Sequence, residues 1–105
     1  MSQLISIQVT APDKVVAEHI GRILVECRLV ACAQIEGPIG STYIWKDQLE
    51  NDEEWRIVLK TEASMFPQIE QKILQEHPYE VPQIIASEMC MASKNYRDWI
   101  LKQIG

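Results

Sequence analysis

An α+β fold, built on one antiparallel sheet, is predicted by three features of the sequence. Apolar residues recur with a period of two in some segments and at helical spacing in others. The segments follow one another in the order β-α-β-β-α-β, with one more helix at the end. The two middle strands share a single turn signal, and each arm exceeds the usual five or six residues. The 105 residues make one ordinary domain spanning 1–105, with no linker, repeat or low-complexity tract to divide it.

The first strand is read from Ile5, Ile7 and Val9, which alternate with Ser6, Gln8 and Thr10. Thr10-Ala11-Pro12-Asp13 stops it and starts a helix. Thr10 is the expected N-cap, Pro12 suits the first turn, and Asp13 complements the helix dipole. Val15, Val16, His19, Ile20, Ile23, Leu24 and Cys27 then trace one helical face. His19, on or beside that stripe, reads as a partly buried structural histidine.

From Val30 to Thr61 the pattern is β. Val30 to Ile35 begins a strand, and Gly37, Pro38 and Gly40 bend or bulge it. Thr42 to Trp45 resumes it, Lys46-Asp47-Gln48 is the turn, and Trp55 to Thr61 returns. Asp52-Glu53-Glu54 reads as a solvated strand start or loop. Ser64 is the expected cap of a second helix, whose apolar face holds Met65, Phe66, Ile69, Ile73 and Leu74. Pro67 sits in its first turn, where a missing N–H costs little. His77-Pro78 ends it, because the residue before proline is pushed out of helical space. Val81 to Met89 is the fourth strand. Ser93 opens a last helix with Tyr96, Trp99, Ile100 and Ile104 on one face.

This order is the ferredoxin-like split βαβ arrangement, with an extra C-terminal helix and a long hairpin between the second and third strands. Right-handed crossovers place both main helices on one sheet face. The other face must then be solvated or covered by another subunit. The hairpin carries Tyr43, Ile44, Trp45 and Trp55, and aromatic groups and long strand edges favour association. An oligomer is therefore expected.

Composition narrows the function. Ten basic against fifteen acidic residues give a net charge of −5, unsuited to neutralising nucleic-acid phosphates. Metal cations and basic groups suit such a field better. The N-terminus lacks a charged region leading into a long apolar stretch, and nothing approaches a membrane span, so a cytoplasmic protein with no membrane partner is expected. Three cysteines without a CxxC pair argue against a disulfide framework or zinc finger. No nucleophile elbow, P-loop or GxGxxG is present, and no enzymatic activity is expected. The fold alone decides little. Glu54 to Leu59 lacks the basic-aromatic pattern of an RNA-recognition module. Thr10 to Asp13 is neither a Met-x-Cys-x-x-Cys metallochaperone loop nor a Gly-rich phosphate cradle.

The sequence resembles the CutA family of divalent-cation tolerance proteins nearly end to end. The likeness runs through Thr10-Ala11-Pro12-Asp13, Leu29 to Ala33, Ser41-Thr42-Tyr43-Ile44-Trp45 and Val58-Leu59-Lys60-Thr61. It is most specific at His77-Pro78-Tyr79-Glu80-Val81-Pro82, followed by Ile84-Ile85, and ends with Tyr96 and Trp99. The resemblance implies a homotrimer of ferredoxin-like subunits with interlocking hairpins. It also implies a link to tolerance of copper and other divalent cations, metal binding in some members, and no organic cofactor. Four positions depart from the family: Gln83 replaces a usual glutamate, Gln34 an asparagine, Asp47 a glycine, and Val9 a cysteine ligand of some relatives.

Within that frame His77 is the principal metal candidate, since neutral imidazole is the commonest transition-metal ligand. Glu76 and Glu80 supply nearby carboxylates, and Cys32 a soft thiolate suited to copper(I). The dipole at a helix C-terminus favours protonated His77, which opposes metal binding. The competing structural reading is that His77 bonds a neighbouring carbonyl, Tyr79 anchors the turn, and Glu80 pairs with a base. A second cluster comprises Tyr43, Trp45 and Trp55, with Tyr79, Tyr96 and Trp99. It reads as interface packing or as an intersubunit ligand pocket. The alternative function is a trimeric small-molecule sensor like the PII signalling proteins, which bind a nucleotide between subunits with a basic cluster.

Overall fold

The computed structural model describes residues 3–105. Strand β1 spans Leu4–Ala11, helix α1 Lys14–Glu26, β2 Cys32–Trp45, β3 Gln48–Glu62, α2 Phe66–Glu76, β4 Ile84–Glu88 and α3 Lys94–Gln103. A short 3-10 turn, Ala63–Met65, leads into α2. The four strands form one sheet in the order β2-β3-β1-β4, every pair antiparallel. The expected α+β, ferredoxin-like architecture is present, with α3 as the added helix.

Period-two alternation in β1 sends Ile5, Ile7, Val9 and Ala11 to one face. There they meet Ile57 and Leu59 of β3, Ala17, Ile20 and Leu24 of α1, and Ile69 and Ile73 of α2. This is the main core. The other face of β1 holds Leu4, which packs with Ala31 and Ile100 beneath α3. Thr61 is buried without penalty because its hydroxyl donates to the Leu29 carbonyl at 2.6 Å.

Several boundaries differ from the sequence reading, each for a local reason. Thr10 stays in β1, and Asp13 caps α1 by accepting the Val16 N–H at 2.9 Å. Ser64 caps nothing; its hydroxyl is spent on Glu62 at 2.5 Å. β2 begins at Cys32 rather than Val30, and β3 begins at Gln48 because the strand pairs up to the turn itself. β4 is shorter than Val81 to Met89 because Pro82 and the loop before it precede the pairing. Val15, Cys27 and Leu74 lie off the buried faces and are exposed, as is His19, which bridges to Glu76 instead of entering the core.

The expected bulge lies between Glu36 and Ile39. Glu36 pairs with Arg56, yet Ile39 pairs with Glu54, so β2 spends one residue more than β3. That residue reverses the parity of β2. Before the bulge, Gln34 and Glu36 share a face with the even residues of β3; beyond it, Ser41, Tyr43 and Trp45 do. Gly37 permits this because the Trp55 ring occupies its side-chain space. A Cβ there would lie 2.7 Å from Trp55 Cδ2. The hairpin closes at Lys46 and Asp47, both with positive φ (50° and 64°), the pattern of a two-residue type I′ turn whose twist matches the strands.

Two substitutions test this account by chemical denaturation. Gly37→Ala must displace the Trp55 ring and should cost about 1–3 kcal/mol, as overpacking does. Asp13→Ala should cost about 1 kcal/mol through the lost cap, while Thr10→Ser, outside the helix, should not weaken α1.

Candidate functional site

A cleft of about 650 Å³ opens where the hairpin leaves the body of the sheet. One wall is the hairpin face carrying Tyr43 and Trp45 with Glu54. The other is the loop after α2, from Pro78 to Gln83, with Thr10 at the floor.

His77 builds the second wall. It ends α2 in extended conformation and is 8% exposed. Its Nε2–H donates to the Thr10 carbonyl at 2.7 Å, and its Nδ1 accepts the Tyr79 N–H at 3.1 Å. A carbonyl only accepts and a backbone N–H only donates. The two partners therefore specify the neutral ring with its proton on Nε2, not the imidazolium that the helix end favours. The ring also leans on Tyr79, centroids 4.7 Å apart. Tyr79 in turn donates its hydroxyl to Glu54 at 2.9 Å. One chain of contacts thus ties β1, α2, the 78–83 loop and β3 together.

Glu54, expected on a solvated surface, is only 7% exposed, and the Tyr79 bond is what makes its burial tolerable. On the same hairpin face Tyr43 donates to Asp52 at 2.5 Å, a diagonal cross-strand pair. The bond to the Asp52 carboxylate, foremost, pushes the Tyr43 phenol up to about 12. Burial, then the bond to Glu54, raises the Tyr79 phenol further. Burial and the neighbouring Cys32 raise Tyr96. Tyr43 and Tyr79 therefore act as hydroxyl donors throughout the physiological range.

The four metal candidates do not converge. Glu76 Oε1 bonds His19 Nε2 at 2.9 Å between the two main helices. Glu80 faces Lys46 Nζ at 3.8 Å across the cleft mouth. Cys32 Sγ lies 3.7 Å from the Tyr96 hydroxyl, under α3. Both ring nitrogens of His77 are engaged. Among the described residues no group of three or more His, Cys, Asp or Glu side chains is arranged to hold a metal ion. The donor set of one subunit therefore does not fit a dedicated copper site.

The aromatic candidates divide into three places. Tyr43, Trp45 and Tyr79 share the cleft. Trp55 packs on the main core with the Lys14 ammonium 5.7 Å from its ring centre. Tyr96 and Trp99 stack on α3 with centroids 5.7 Å apart. Sequence reasoning missed Thr10, Asp52 and Glu54 as site residues. The only available signal was period two in β3, which puts residues 52 and 54 on one face.

Comparison with known proteins came to one family. The family described as CutA1 divalent ion tolerance protein matches residues 5–103. A probable divalent-cation tolerance protein cutA homolog of Encephalitozoon cuniculi is 38% identical, over 95% of this chain and 87% of its own. The divalent-cation tolerance protein CutA of Thermus thermophilus is 34% identical, over 92% and 94%. The solved structure of a CutA described as periplasmic, from Archaeoglobus fulgidus, superposes with a TM-score of 0.92 at 30% identity, covering all of both chains. No helix among the described residues is long and apolar enough to cross a membrane.

The raised phenols give a pH test. The unfolded chain loses its phenolic protons first, so it binds fewer protons than the folded chain from about pH 10 to 12. Stability contributed by these groups is complete below about pH 10 and falls as pH rises through the folded values. A phenolate absorbance titration of the native protein should show no tyrosine ionising at the ordinary midpoint. A native midpoint near 10 for any of the three would contradict these hydrogen bonds.

Proposed function

The chain belongs to the CutA1 divalent ion tolerance protein family, and on that premise we propose that it acts in divalent-cation tolerance as a non-enzymatic homotrimer. The observation that supports assembly is a pair of separate exposed apolar regions. Ile44 and Leu49 face each other at the hairpin tip, 64% and 66% exposed. Ile85 on β4 and Met91 beyond it are exposed at the opposite sheet edge. The subunit is elongated, 45 × 25 × 21 Å, and nothing among its described residues covers Ile44 and Leu49 at the tip. Two different patches suit head-to-tail contacts that close into a ring. Three members is the number the family resemblance implies.

The relatives are named for tolerance of divalent cations, and copper is the cation the family resemblance implies. Because the candidate donors of one subunit lie apart from one another, we place direct cation binding at donors contributed by more than one subunit. His77 serves the architecture of the cleft in this reading. The cytoplasm is the proposed location, since Cys27, Cys32 and Cys90 are unpaired, which suits a reducing compartment. The nucleotide-sensing alternative gains no support. The cleft's described lining holds Glu54 and Glu80 but no Lys, Arg or His to meet phosphates.

Light scattering on the purified chain should give three chain masses, and Ile44→Lys should release smaller species; a single chain mass for the unaltered protein would overturn the assembly. In a copper titration His77→Ala should leave affinity unchanged while lowering stability by about 1–3 kcal/mol, from the orphaned Thr10 carbonyl and Tyr79 N–H. Loss of copper binding in that variant at unchanged trimer content would make His77 a ligand after all.

A further inference from the structure

The cleft's side chains have a chemistry different from that of a divalent-cation site. Its walls are the rings of Tyr43, Trp45 and Tyr79. Both phenols donate to carboxylates, Tyr43 to Asp52 and Tyr79 to Glu54, so neither has a proton left to donate and each oxygen can only accept. What remains is aromatic surface in a negative field, with Glu80 at the mouth. No Lys, Arg or His belongs to the described lining, and Lys46 beside it is paired with Glu80, so an anion would meet the carboxylates of Glu54 and Glu80. A hard divalent cation would need clustered oxygen donors, and no such group is assembled among the described residues. An organic ammonium ion needs the reverse: π faces to lie against and a carboxylate within reach.

A second observation identifies that cation class. The ammonium of Lys46, held in the hairpin turn, lies 5.7 Å from the centre of the Trp45 ring and 3.8 Å from Glu80 Oε2. The chain thus places a tethered alkylammonium at the mouth of its own cleft. Its side chain is 72% exposed, and so is easily displaced. Behind it lies unfilled space of about 650 Å³, within the range of small-ligand pockets.

We propose that this cleft binds a small aliphatic primary ammonium ion, seated against Trp45 and Tyr79 with its charge toward Glu80, in the place that Lys46 covers. No bond is made or broken; Lys46 swings to solvent as the ligand enters. The inference does not rest on the cation-tolerance reading. It requires only that the cleft stays open in the assembled protein.

The test uses the intact purified protein, with n-butylammonium chloride as the probe and n-butanol as its neutral counterpart, at matched ionic strength. Binding is read from the Trp45 indole resonance and by calorimetry. Butylammonium should saturate and shift the Trp45 signal, and butanol should not. Lys46→Asn, which tolerates the positive φ of the turn, should tighten butylammonium binding by about two- to fivefold, and Glu80→Gln should weaken it by about the same factor. Glu80 is exposed in a loop, so its variant keeps the fold. Equal responses to the amine and the alcohol would overturn the proposal, as would no saturable binding in the native protein and Lys46→Asn alike. The second result is expected if a neighbouring subunit already fills the cleft.

Discussion

The contact between Gly37 and the Trp55 ring is the constraint on which the rest of this structure depends. The indole occupies the volume a side chain at position 37 would need. Its presence lets β2 take one extra residue against β3. A strand has a period of two, so one inserted residue exchanges its faces. Everything beyond the bulge is therefore inverted relative to what precedes it. Tyr43 and Trp45 reach the face of Asp52 and Glu54, while Ile44 is turned to the opposite side with Leu49. The cleft and the exposed apolar tip are two consequences of the same residue.

The opposite wall is held by a different kind of interaction. His77 is buried, polar and satisfied at both nitrogens, and it joins the end of α2 to the end of β1. A buried imidazole with one nitrogen unpaired would be costly; with both paired it sets the course of the following loop. Tyr79 leaves that loop at the angle needed to meet Glu54, and a carboxylate otherwise expensive to bury becomes part of the wall. Apolar packing holds the body together, and a short polar chain aligns the hairpin with it.

Much of the fold was legible because its signals are local. Alternation marked β1, Ser93 marked the start of α3, and His77-Pro78 marked the end of α2. The errors arose where two local signals competed. Thr10 and Asp13 are both good caps, and pairing of Thr10 with Arg56 keeps it in the sheet. Ser64 is a good cap that found a nearer acceptor in Glu62. Asp52-Glu53-Glu54, read as a solvated strand start or loop, is strand by its pairing with Gly40, Ser41 and neighbouring residues, and Glu54 is buried within it. The family resemblance, carried by long stretches in order, matched the comparison with known proteins.

By itself the sequence determined the order and kind of the elements, the family and the place of the turn, because these follow from residue periodicity and backbone preference along the chain. Only the tertiary structure decided which candidates meet. It brought Tyr79 to Glu54 across 25 positions and His77 to Thr10 across 67. It separated Cys32, Glu76 and Glu80 onto three unrelated partners. Side-chain chemistry is written residue by residue. Proximity is set by strand register and loop course, and here a single extra residue in β2 changes both.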